Sequence, residues 1–127
     1  MIGRAPYVLL IAAFVAACAA EVARTPSVMQ PAADGYPRLL ELGSPAEVFT
    51  GTGYNRVLAA GTRWRLTGSI AQGAVYRASE GVLTLEGANI HEAYLVVRDR
   101  DLVGFFLPVE KAYSPLPQAV RLSISNP

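Results

Sequence analysis

Residues 93–107 read Ala93-Tyr94-Leu95-Val96-Val97, then Arg98-Asp99-Arg100-Asp101, then Leu102-Val103-Gly104-Phe105-Phe106-Leu107. Two apolar runs too short for helices, rich in aromatic and branched residues and joined by a polar link, read as two strands of an antiparallel hairpin with a four-residue polar loop. Both runs are apolar on both faces, the composition of strands covered from two sides. Alternation places Tyr94 and Val96 opposite Ala93, Leu95 and Val97, and Phe105 opposite Phe106. Gly104 inside the second run marks a bulge or a close backbone approach. A small two-layer domain ordinarily covers one side of a strand, which leaves two readings of the second face. Either loops or the strand near Val120 close it as a further core layer, or it is a docking surface on which Tyr94 with Phe105 or Phe106 meets a partner.

Outward from this hairpin the same pattern continues. Short apolar or alternating runs separated by Gly, Pro, Ser, Asp and Asn predict strands at 38–42, 46–50, 62–70, 74–77, 82–86, 93–97, 102–107 and 120–125. In 62–70, Trp64, Leu66 and Ile70 are expected on one face and Arg63, Arg65 and Thr67 on the other. No segment after residue 37 holds an apolar stripe at helical spacing. The fold expected is all-β, a small antiparallel sandwich or barrel of about 6–8 short strands.

The other end of the chain has a different character. Met1 to Arg4 is short and basic, and Ala5 to Val15 is an apolar run, the order of a secretory signal. Val15-Ala16-Ala17-Cys18 then resembles the lipobox of bacterial lipoproteins. That resemblance implies a diacylglyceryl thioether on Cys18, cleavage before it, and, with Ala19 rather than an acidic residue next, sorting to the outer membrane facing the periplasm. Two or three acyl chains hold firmly, each buried methylene contributing about 0.8 kcal/mol. Three alternatives stand beside it, one of them a cytosolic chain that begins with a buried helix, against which Pro6 and the lack of a polar face argue. The fourteen residues from Tyr7 to Ala20 fall short of the roughly 20 that span a bilayer, and Ala17-Cys18-Ala19 also satisfies the small-x-small rule of ordinary secretion. The organisation expected is a signal peptide at 1–17, a lipidated cysteine and flexible tether at 18–36, and an all-β domain at 37–127. Eighteen flexible residues have a root-mean-square span of about 23 Å.

Composition narrows the function classes. Eleven Lys and Arg face ten Asp and Glu, and removing Arg4 with the leader leaves ten of each, so no basic face for nucleic acid is expected. One cysteine excludes an internal disulfide. His91-Glu92 begins like a zinc-peptidase signature, but the fifth residue is Leu95, and no second histidine exists for a metal or a catalytic pair. His91 is read instead as a strand-edge histidine bonded to a neighbouring carboxylate. Asp99 and Asp101 alternate with Arg98 and Arg100 in a surface turn, and Gly51-Thr52-Gly53 lacks the rest of a phosphate loop and is read as a turn. Arg63 and Arg65, two apart on one strand face, either present two forks to anionic groups or pair with Glu on an adjacent strand.

Residues 61–116, with GSIAQGAVY, HEAYLVV and LVGFFLP, look similar to parts of small proteobacterial lipoproteins, a resemblance that brings no activity and no site residue. The expectation is a non-enzymatic envelope lipoprotein without cofactor, metal or catalytic residues. It is held to a membrane through Cys18 and is expected to contact an envelope protein as an accessory subunit. The alternative is a small ligand-binding or inhibitor-type domain.

Overall fold

The computed structural model describes residues 20–125, so the signal sequence and Cys18 lie outside the described residues. The strands are β1 (Thr25–Pro26), β2 (Leu39–Leu42), β3 (Ala46–Phe49), β4 (Asn55–Leu58), β5 (Arg63–Ile70), β6 (Gly73–Ala78), β7 (Thr84–Glu86), β8 (Ile90–Glu92), β9 (Tyr94–Arg98), β10 (Asp101–Leu107), β11 (Ala112–Arg121) and β12 (Ile124–Ser125), with no helix among the described residues. The fold is all-β and every ladder is antiparallel. Eight strands form one sheet in the order β1-β11-β10-β9-β6-β5-β2-β12, and β3–β4 and β7–β8 are separate hairpins. Only Leu122 and Ser123 separate β11 from β12, which lie near opposite ends of that order. Three steps of extended chain reach about 11 Å at most, so the sheet curls until its ends approach. No ladder joins them, and the sheet is not closed into a barrel.

The hairpin expected over residues 93–107 is β9–β10. Arg98 and Asp101 are paired across it, so the loop shrinks from the expected four residues to Asp99-Arg100. Asp99 supplies the left-handed turn with φ of 58°, a conformation that Asp tolerates because its short side chain bonds locally. The Asp101 carboxylate pairs with Arg121 on β11 at 2.9 Å rather than with its arginine neighbours.

The first face of the sheet carries the main core. Leu40, Leu42, Trp64, Tyr76, Leu95, Leu102, Phe105 and Leu107 meet Val48 and Leu58 from β3–β4 and Leu85 from β7. Trp64 is buried, and its indole N–H donates to Thr62 Oγ1 at 3.1 Å, which satisfies the one polar group that it carries inside. The second face holds a smaller cluster of Ile70, Val75, Val96, Phe106 and Tyr113, with Met29, Tyr94 and Val103 packed against it.

Ile70 therefore does not share the face of Trp64 and Leu66. The β5–β6 register shifts between Leu66 and Gly68, and one extra residue in a strand moves everything after it to the opposite face. The same device acts at Gly104, where the register of β10 shifts against both neighbours, so Leu102 and Phe105, three apart, both enter the main core. β11 starts at Ala112, well before the strand expected at 120. Pro115 and Pro117 disguise it, since proline is confined to edges and bulges of sheets. β4 and β8 are further strands that the sequence pattern did not distinguish.

The flexible tether expected over 18–36 is corrected over residues 20–30, while residues 18 and 19 lie outside the described residues. Val22 is buried in the main core, β1 pairs with the start of β11, Ser27 N–H donates to Lys111 O at 3.0 Å, and Gln30 bridges Ser69. The segment straps the second face from β11 to β5 and lays Met29 on its cluster. Apolar residues spaced irregularly, Val22 and Met29, hold a strap as well as a strand does, but they leave no period to read.

Candidate functional site

Of the three residues expected to meet a partner, two are withdrawn by burial. Phe105, 1% exposed, lies in the main core opposite Leu95, and Phe106, 3% exposed, lies in the second cluster beneath the strap. The second face is thus largely a core layer. Tyr94 remains half-buried at its margin, opposite Phe106 with ring centroids 6.4 Å apart, within the range in which tilted aromatic pairs attract.

Beyond Tyr94 the face changes from apolar to cationic. The Arg77 guanidinium carbon stands 5.9 Å from the centroid of the Tyr94 ring, a cation–π contact. Arg65 lies directly across the β5–β6 ladder from Arg77. A cross-strand row therefore runs Arg65, Arg77, Tyr94, Phe106, Tyr113 over five strands, charged at one end and buried at the other. Of the two arginines noted on β5, Arg63 donates to Glu41 Oε1 on β2 at 3.3 Å, the ordinary surface arrangement. Arg65 and Arg77 have no carboxylate at ion-pair distance among the described residues, and like charges directly opposite on a sheet oppose folding.

His91 occupies a second polar constellation. It is 5% exposed, with Nδ1 2.7 Å from Glu110 Oε1 in the β10–β11 turn and Nε2 3.0 Å from Glu21 Oε1 in the N-terminal segment. His91 is thus bonded to carboxylates, as expected, and both come from segments distant in sequence. Asn89 Nδ2 donates to Glu21 Oε2 at 2.9 Å, and Arg24 lies 3.6 Å from Glu21. The Glu110 hydrogen bond, foremost, raises the His91 pKa above its ordinary value against the opposing effect of burial. The His91 hydrogen bond in turn lowers those of Glu21 and Glu110. Gly87 permits this docking, because a Cβ there would stand 2.8 Å from Ala20 O and 3.1 Å from Val22 Cγ2. No local signal in the sequence joins residues so far apart.

Elsewhere, a cleft of about 600 Å³ opens between the β4–β5 and β6–β7 connections, with Trp64 in its lining and Val57, Val82, Arg63 and Glu80 around it. Gly51-Thr52-Gly53 is a bend, and the buried Thr52 hydroxyl donates to Glu86 O at 2.7 Å, a structural use. No group of three His, Cys, Asp or Glu side chains among the described residues is placed to hold a metal ion. Comparison with protein families, curated proteins and solved structures yields no match.

Proposed function

We propose that the chain is a non-enzymatic, membrane-anchored envelope lipoprotein, lipidated on Cys18 and sorted to the outer membrane, whose domain docks an acidic surface of an envelope protein. The observation that carries the docking half is Arg65 facing Arg77 beside the half-buried Tyr94 ring. A pair that works against folding and has no anion beside it among the described residues is matched by carboxylates from outside, to which arginine forks donate bidentately. Tyr94 adds an aromatic anchor of the kind that dominates interface energetics. The anchor half rests on Val15-Ala16-Ala17-Cys18. Labelled palmitate is expected in the wild-type chain in living cells and absent from Cys18→Ala; equal labelling of both defeats the anchor. A photo-crosslinking residue in place of Thr67, beside the arginine pair, is expected to join one envelope protein, and Arg65→Glu with Arg77→Glu to abolish that product. Persistence of the product in the double variant defeats the docking surface.

A second reading is favoured by the cleft beside Trp64, whose size suits a small amphipathic ligand. Lipid recovered by mass spectrometry from the purified chain, and lost in Val82→Glu, supports that reading over the first.

A further inference from the structure

We propose that Glu21, His91 and Glu110 form a proton-operated latch: the imidazolium pins the segment between Ala20 and β1 to the domain, and loss of one proton releases it. Both ring nitrogens of His91 face carboxylate oxygens, at 2.7 and 3.0 Å. A carboxylate only accepts hydrogen bonds, so both nitrogens must donate, and only the imidazolium does so. The charged groups around the ring are Glu21 and Arg24 of the N-terminal segment and Glu110 of the β10–β11 turn, while Leu85, opposite on β7, is apolar.

The two carboxylates are not equivalent. The Glu110 side chain is 24% exposed, and its Oε2 is buried without a partner. Separating it from the ring would strand a carboxylate with little water to receive it. The Glu21 side chain is 44% exposed and belongs to a terminal segment. The proton that leaves is therefore the one on Nε2, taken up by solvent hydroxide, and Nδ1–H stays with Glu110. The Nε2 lone pair then faces the Glu21 carboxylate, an acceptor against an acceptor, and Glu21 moves into water with Val22 behind it. Met29 lies further along and keeps its own contacts, so the release runs no further than the two-residue β1. The latch stands without the anchor. If Cys18 carries the lipid, three residues before Glu21, the latch sets how closely the domain is held to the membrane.

His91 is the only histidine, so its ring nitrogens give unique signals in full-length protein labelled with ¹⁵N-histidine. Both are expected to be protonated below pH 6.5, with a midpoint above 6.5. Trypsin cleavage after Arg24 supplies the second measurement, taken relative to cleavage after Arg100 in the β9–β10 turn so that the protease's own pH response cancels. Across the His91 titration that ratio is expected to rise roughly tenfold or more, as proteolysis follows the open fraction. In Glu21→Ala, which removes both the charge and the hydrogen-bonding group, the ratio is expected to be high at every pH and the His91 midpoint to fall. A ratio that stays constant in the wild-type chain, or a His91 midpoint at or below 6.5, overturns the latch. Neither result depends on whether Cys18 is lipidated.

Discussion

Gly68 of β5 lies directly beneath Met29 of the N-terminal strap, so close that a Cβ on Gly68 would stand 2.6 Å from Met29 Cγ and 2.5 Å from Gln30 O. The thioether of Met29 sits within reach of the cluster of Ile70, Val75, Val96, Phe106 and Tyr113 only because nothing projects from position 68. Gly68→Ala is accordingly expected to lift the strap and lower stability by about 1–3 kcal/mol, the usual cost of overpacking, read as a lower urea midpoint. Since one obstacle is backbone, Met29→Ala in the same chain restores only part of the loss. An unchanged midpoint in Gly68→Ala would show that the strap does not rest on β5.

The bulge between Leu66 and Gly68 assigns Ile70 to the second cluster and Trp64 to the first. Trp64→Ala is expected to cost about 3–5 kcal/mol and Ile70→Ala about 2–5 kcal/mol. Residues in separate clusters add, while residues in one cluster couple. Double-mutant cycles in urea should therefore find Ile70 coupled to Val96 and independent of Trp64. Coupling between Ile70 and Trp64 would mean that the strand keeps a simple alternation.

Phe105 and Phe106 are both buried, in different layers. Phe105→Ser and Phe106→Ser are each expected to cost about 3 kcal/mol or more, because a cavity and an unsatisfied hydroxyl arise together. Tyr94→Ser, at the margin, is expected to leave the domain folded. Thermal unfolding of the three variants checks this, and a Phe106→Ser domain as stable as the wild type would return Phe106 to the surface.

The clamp also predicts a pH profile. His91 is raised from 6.5, so the stability it lends is complete below that value and is lost as pH climbs through its folded value. Glu21 and Glu110 are lowered from 4.5, so their contribution is complete above that value and is lost as pH falls through their folded values. The difference in urea midpoint between wild type and Glu110→Gln is expected to be greatest between pH 4.5 and 6.5 and to shrink on both sides. A difference that grows through the alkaline range would mean that His91 is neutral between the two glutamates.

What the sequence determined by itself was local. Runs of branched and aromatic residues broken by turn formers located β2, β3, β5, β6, β9 and β10 to within a residue or two, and the charged link located the central hairpin. The burial of Trp64 was legible because alternation holds as far as Leu66. Beyond the bulges it was not, since a single extra residue reverses every later side chain while leaving composition untouched. That is why the pairing of Phe106 with Tyr94, and the passage of Phe105 to the other core, required the register. The candidate sites lie wholly on the tertiary side of this division. His91 meets carboxylates 19 and 70 positions away, and Arg77 reaches the Tyr94 ring from a strand that is its neighbour only in the sheet. Such contacts are made by single polar side chains brought together by strand order. A lone His or Arg has no periodicity, so its partners become visible only when the chain is folded.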